Sequence, residues 1–220
     1  VHYHDADDLF HSDWCSRVRD RLETTKPDVV FTEIASRRDG MPVSERVLGL
    51  EAITRKDVDL LRFCLRGSML VPAGTYRQQC LFDLGGYRED VWQAEDYDLN
   101  IRLALENPNY QIIPHPLLTI RLRADGRSRT HRHEVAQSVV QIAESLREDI
   151  PTDYHTDLAE KVAWAGSLLY QSGCHDESEQ AFRLADDLGP PQEYAGKHRL
   201  YQVLARSLGG YTAEQVSGWY

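Results

Sequence analysis

The chain has 220 residues, 41% of them hydrophobic and 27% charged; that is ordinary for a soluble globular protein and long enough for one large domain or two small ones with a proper core. No apolar run reaches the length of a membrane span, and the N-terminus lacks the basic-then-apolar layout of a signal peptide, so a cytoplasmic location is expected. The net charge of −10 excludes a general nucleic-acid binder, because a phosphate backbone rewards basic surfaces.

The charge is uneven. Residues 131–220 carry 7 Lys+Arg against 14 Asp+Glu, while residues 1–130 carry 18 against 21 and are rich in arginine, as suits a region that handles an anionic ligand. Four cysteines, Cys15, Cys64, Cys80 and Cys174, stand far apart with no C-x-x-C pair. Zinc and dithiol chemistry therefore have no support, and reduced thiols are expected.

In chain order, "VHYHDADDLF" (1–10) reads as the end of a buried strand running into three crowded aspartates, Asp5, Asp7 and Asp8. Like charges that close raise one another's pKa, so a partner is needed. A divalent cation is one candidate; helix capping, turn lining and plain solvation are the alternatives. "SDWCSRVRDRLETT" then offers Ser12 as N-cap, with Trp14, Val18 and Leu22 at helical spacing. "PDVVFTEIAS" is rich in β-branched residues and reads as a strand, so strand, helix, strand suggests an α/β unit with a parallel sheet. Residues 37–56 show no clean period and read as an exposed excursion.

Further along, "CLRGSMLVPAG" reads as a strand, "TYRQQCLFDLGG" as a helix with Thr75 as N-cap and a Gly-Gly stop, and "AEDYDLNIRLALENP" as a helix ended by Asn107 and Pro108. "YQIIPHPLLTIRLR" is strand-like, and its two prolines place it at an edge or break it. After the basic stretch "ADGRSRTHRH" the pattern is helical to the end, which puts a domain boundary near Arg129 and gives regions 1–130 and 131–220.

The run "FDLGGYREDVWQAEDYDLNIRLA" resembles the acceptor-side signature of family 2 glycosyltransferases, and "HDADD" resembles that family's D-x-D motif in its usual upstream place. The resemblance implies a GT-A, Rossmann-like domain that moves a sugar from a nucleotide diphosphate sugar to a hydroxyl acceptor, whether saccharide, lipid-linked or small molecule, with inversion. It implies Mg²⁺ or Mn²⁺ on the diphosphate, with Asp7 as direct ligand and Asp5 contacting ribose or a metal-bound water; hard oxygen donors suit such ions. Glu95 and Asp96 match the family's Glu-Asp pair, and Asp96 is the expected general base, since the acceptor hydroxyl must lose a proton as it attacks. Gly85 and Gly86 are expected to turn the backbone toward the acceptor. Trp92 is either a sugar-stacking face or a core residue.

Two departures stand out. Where the family carries a histidine after the last sheet strand, this sequence has Arg123. Either arginines here (Arg121, Arg123, Arg127) bind diphosphate as cations, together with His131, or His131 or His133 takes the metal role; solvated linker arginines are the alternative. The family also carries a nucleotide-recognition half upstream of the D-x-D, so the chain is expected to begin in mid-strand and lack it.

"GSLLYQSGCHDESEQAFRLADDLGP" resembles a tetratricopeptide repeat (TPR), with Gly166, Gly173, Ala181, Phe182, Ala185 and Pro190 at matching offsets. Contact with a protein partner or a second copy is one reading of this tail, and bracing of the catalytic domain is the other. The rival to a transferase is a non-catalytic interaction protein acting through that acidic tail. A metal-dependent phosphoryl-transfer enzyme is more distant.

Overall fold

The β-branched run Val29–Arg37 forms strand β2, buried at every position but its last. The computed structural model describes residues 1–38, 41, 43–44, 46–67, 69–123, 131–189, 191, 194 and 197–217. It divides into two units, Val1–Arg88 with Asp96–Gly126, and Glu89–Glu95 with Arg127–Tyr220. Among the described residues no helix is long and apolar enough to cross a membrane.

In the first unit, β1 (Leu9–Phe10), β2, β3 (Gly74–Tyr76) and β4 (Tyr110–Arg121) form one sheet in the order β1-β4-β2-β3. Only β2 and β4 run parallel; β1–β4 and β2–β3 are antiparallel. The sheet is thus mixed rather than all parallel. The expected strand before the acid cluster is reduced to a single bridge, His2 to Thr75, and the regular strand β1 lies after the cluster. Helix α1 (Trp14–Thr25) packs Val18, with Trp14 and Leu22, on Val30, Ile113 and Leu117 of the sheet. Asp13, not Ser12, stands at its N-cap, and Ser12 donates instead to the Asp13 carboxylate at 3.3 Å.

β4 is a continuous inner strand despite Pro114 and Pro116. Its register with β2 jumps from Thr32↔Ile113 to Glu33↔Pro116 and Ile34↔Leu118. A bulge of this kind absorbs residues that cannot donate to the ladder. The excursion after β2 is pinned back to it: Ser36 and Ser44 exchange backbone bonds of 2.7 and 2.8 Å, and the Val47 amide donates to the Ile34 carbonyl at 2.9 Å.

Helices α2 (Glu51–Thr54) and α3 (Leu60–Arg66) follow, α3 capped by the Asp59 carboxylate on the Arg62 amide at 2.8 Å. Thr75 lies in β3, paired with Val30, so it does not cap a helix; α4 (Gln78–Asp83) starts later, after Arg77. Helix α5 (Glu95–Leu105) is almost wholly buried, and Asn107 ends it at φ +51°.

The second unit is helical: α6 (Arg132–Leu146), α7 (His155–Gln171), α8 (His175–Leu188), α9 (Arg199–Leu208) and α10 (Gly210–Ser217). Gly173, at φ +82°, turns α7 into α8. Gly166 lets the Phe182 ring approach, and Ser178 donates to the Gly166 carbonyl at 2.8 Å. Between α9 and α10 the buried Glu214 binds Lys197 at 2.6 Å and the Tyr201 hydroxyl at 2.8 Å.

Candidate active site

The acid cluster is a tight turn between the His2 bridge and β1, closed by the Asp8 amide on the Asp5 carbonyl at 3.1 Å. Pairing of β1 with Leu118 and Thr119 brings the end of β4 to this turn. The Arg121 amide donates to the Asp8 carboxylate at 2.9 Å, and the Arg123 guanidinium stands 3.9 Å from Asp7. Asp5, Asp7 and Arg123 are therefore gathered in one place, whereas Arg127 lies outside the described residues. Partial burial holds the Asp8 carboxyl above its usual range; the Arg121 amide works against this, and the charges of Asp5 and Asp7 add to it.

Among the described residues no group of three or more His, Cys, Asp or Glu is placed to hold a metal ion. A magnesium-type ion needs fewer protein ligands, because it sits on one or two carboxylates together with substrate phosphates and water. Crowded, partly exposed carboxylates on Asp5 and Asp7 are a donor set that fits such an ion.

Asp96 lies in the first turn of α5. Its carboxylate accepts from the Tyr97 amide at 2.8 Å, and its carbonyl accepts from the Asn100 amide group at 2.7 Å. Asn100 in turn receives the Tyr76 hydroxyl at 3.4 Å and donates to the Met69 carbonyl at 2.9 Å. Tyr76 reaches the N-terminal segment, its amide on the Val1 carbonyl at 2.7 Å, while Tyr3 packs on Tyr87 with ring centroids 5.2 Å apart. Burial raises the Tyr76 phenol far above its ordinary range, and Tyr87, Cys64, Asp96 and Tyr3 reinforce this. The segment leading into the acid cluster and the start of α5 thus meet through Tyr76 and Asn100.

Gly85 and Gly86 adopt φ +75° and +70° with nothing within 4 Å of an added Cβ, so backbone conformation, not crowding, calls for glycine there. What fixes the turn is Arg102, which donates to the Leu84 carbonyl at 2.6 Å and the Gly86 carbonyl at 2.8 Å while paired with Asp98. The sequence reading missed this pair. Its signal was an Asp and an Arg four apart on a helix, the spacing at which such side chains meet. Glu33 was missed too: 1% exposed, it accepts from the amides of Ile34, Leu48 and Leu50 at 3.0, 2.7 and 2.9 Å.

Trp92 and His131 belong to the second unit. Trp92 is exposed, not a core residue. The His131 Nδ1 is 2.9 Å from the Glu134 carboxylate, and the hydrogen bond to His131 is the chief reason that carboxyl sits below its ordinary range.

No family model and no curated protein matches the chain. Among solved structures, S. aureus TarS 1–349 in complex with UDP aligns over 100% of this chain and 66% of that one, with a TM-score of 0.58 at 16% identity. TarS 1–349 in complex with UDP-GlcNAc aligns over 100% and 67%, with a TM-score of 0.61 at 17% identity. The chain therefore spans about two thirds of those structures. At such identity the likeness is one of fold alone.

Proposed function

We propose that the chain belongs to a glycosyltransferase that moves a sugar from a nucleotide diphosphate sugar to a hydroxyl acceptor, with inversion at the anomeric carbon. The observation that carries this reading is the fold likeness over the whole chain to TarS bound to UDP and to UDP-GlcNAc. In this reading the Asp96 carboxylate takes the proton of the acceptor hydroxyl as its oxygen attacks the anomeric carbon and the bond from that carbon to the diphosphate breaks. Glu95 stands beside it at the start of α5. Asp7 and Asp5 hold Mg²⁺ or Mn²⁺, which when bound offsets the charge gathering on the diphosphate. Arg123, with Arg127, binds diphosphate oxygens, for which a guanidinium is suited. The Arg102-held Gly85–Gly86 turn presents the loop that meets the acceptor. We read the helical region as TPR-like, with Gly166 and Phe182 setting the approach of its helices.

Calorimetric titration with UDP and with GDP, each with and without Mn²⁺, tests the donor side. Binding that requires Mn²⁺, disappears in Asp7→Asn and persists in Asp96→Asn is expected. Transfer should fall roughly 10²–10⁴-fold in Asp96→Asn, the usual worth of a general base. Nucleotide binding indifferent to Mn²⁺ would remove the metal site from the scheme, and unchanged turnover in Asp96→Asn would remove the base.

A further inference from the structure

Helix α1 leaves a cleft against the sheet, with a volume of about 460 Å³. Ser16, Arg17, Asp20 and Arg21 line it from the helix, and Ile113, Pro114 and His115 from β4. That size suits a small molecule. The strand side of the cleft is built by the bulge. β4 pairs Ile113 with Thr32 and Pro116 with Glu33, so Pro114 and His115 are the residues by which it outruns β2 at this point. A bulge in a strand is a means of aiming a side chain out of the regular pleat, and here His115 is exposed while Ile113, two residues earlier, is buried. The helix side follows from spacing, for Arg17 and Arg21 stand one turn apart in α1 and share a face. Arg17 lies 3.5 Å from the Asp13 carboxylate, an exposed pair of little strength that leaves the guanidinium open to a stronger partner.

Two guanidinium groups, an imidazole and a hydroxyl form a donor set richer than the two oxygens of one carboxylate can use. A phosphate monoester offers three outer oxygens and a charge of about −1.5 to −2 at neutral pH, and guanidinium forks match such oxygens. Asp20 repels a bare anion but accepts from a hydroxyl, so it favours an ester whose alcohol part carries hydroxyls. Ile113 and Pro114 offer apolar surface to the C–H groups of that part. We propose that the cleft between α1 and the β4 bulge binds a small phosphomonoester of a hydroxylated alcohol, with Arg17, Arg21 and His115 at the phosphate and Asp20 at a hydroxyl. None of these residues belongs to the candidate active site, so this proposal does not rest on the transferase reading.

The test is calorimetric titration of the full chain with glucose 6-phosphate, with inorganic phosphate, glucose and citrate as comparisons. Saturable binding of glucose 6-phosphate, weaker binding of inorganic phosphate and none of glucose or citrate is expected. The His115 ring resonances should shift as glucose 6-phosphate saturates. Arg17→Gln and Arg21→Gln should each weaken binding about tenfold or more, as the loss of a charge-assisted hydrogen bond does. Arg19, an exposed arginine of the same helix, does not line the cleft; Arg19→Gln should change binding by less than about twofold, since a solvated charge at a distance is screened by salt. Asp20→Asn should narrow the gap between glucose 6-phosphate and inorganic phosphate. Arg17 and Arg21 are exposed, so both variants should melt with the parent, and lost binding is then not lost fold. Absence of glucose 6-phosphate binding, an equal response to citrate, or equal losses in Arg19→Gln and Arg21→Gln would overturn the proposal. Binding abolished by Arg123→Gln and untouched by Arg21→Gln would overturn it too, by moving the ester to the aspartate turn.

Discussion

Asp98 and Arg102, one turn apart in α5, meet through two bonds of 2.8 and 2.6 Å, with Asp98 only 1% and Arg102 15% exposed. A second arginine, Arg88, approaches the same carboxylate at 3.4 Å. The pair is the hub through which a helix with Asp96 in its first turn holds the Leu84 and Gly86 carbonyls at the double-glycine turn.

Removing one partner of a buried pair strands the other charge, so Asp98→Ala is expected to cost about 3–5 kcal/mol. Urea denaturation measures it. A loss below about 1 kcal/mol would mean that water reaches Arg102 freely.

The Glu33 carboxylate satisfies three amides, two of them 15 and 17 residues away. Glu33→Gln keeps one acceptor oxygen and turns an N–H₂ toward an N–H, a clash worth about 1–3 kcal/mol. Amide exchange of Leu48 and Leu50 should quicken far more than that of β4 residues. Equal protection in the variant would show that the backbone bonds at Ser36 and Ile34 hold the excursion unaided.

A Cβ on Gly166 would stand 3.1 Å from the Phe182 ring. Gly166→Ala is therefore expected to cost about 1–3 kcal/mol through overpacking. Combining it with Phe182→Leu should be less destabilising than the sum of the two changes, since the smaller side chain vacates the space that the methyl needs. Strict additivity would place the strain elsewhere.

Burial pulls the His2 pKa down from 6.5 to about 4, against a bond to the Gly74 carbonyl and with help from His4. Between these values the unfolded chain binds a proton that the folded chain refuses, so stability is full above pH 6.5 and declines as the pH falls toward 4. Its Nε2 atom is buried with no hydrogen-bond partner. His2→Phe should flatten the stability profile across that window. Parallel profiles for the two proteins would assign the acid sensitivity to other groups.

Much of this was legible because it is local. The spacing of Trp14, Val18 and Leu22 announces α1, the run from Val29 announces β2, and Asn107 with Pro108 announces the end of α5. Chemistry at a distance was not legible. Nothing in "VVFTEIAS" says that Glu33 will reach amides beyond the next loop, and Arg102 gives no hint of the carbonyls it holds 16 and 18 residues upstream. The prolines of β4 misled because edge placement and an interior bulge meet the same constraint, and only the partner strand decides between them. The aspartate turn was legible as a cluster and Arg123 as a diphosphate candidate through the resemblance, but the pairing of β1 with β4 that sets Arg123 beside Asp7 was not.

The allotment of residues 89–95 to the helical unit has a consequence for how this protein can be divided. The polypeptide passes between its two units at 88/89, at 95/96 and at 126/127. No single cleavage separates them into intact bodies. A fragment ending near residue 130 would carry Asp90 and Gln93 without Gln141 and Ser138, and the complementary fragment would carry α6 with that seam unfilled. The short stretch bearing Trp92 is thus a stitch: made early in synthesis, it can be drawn tight only after α6 has emerged from the ribosome.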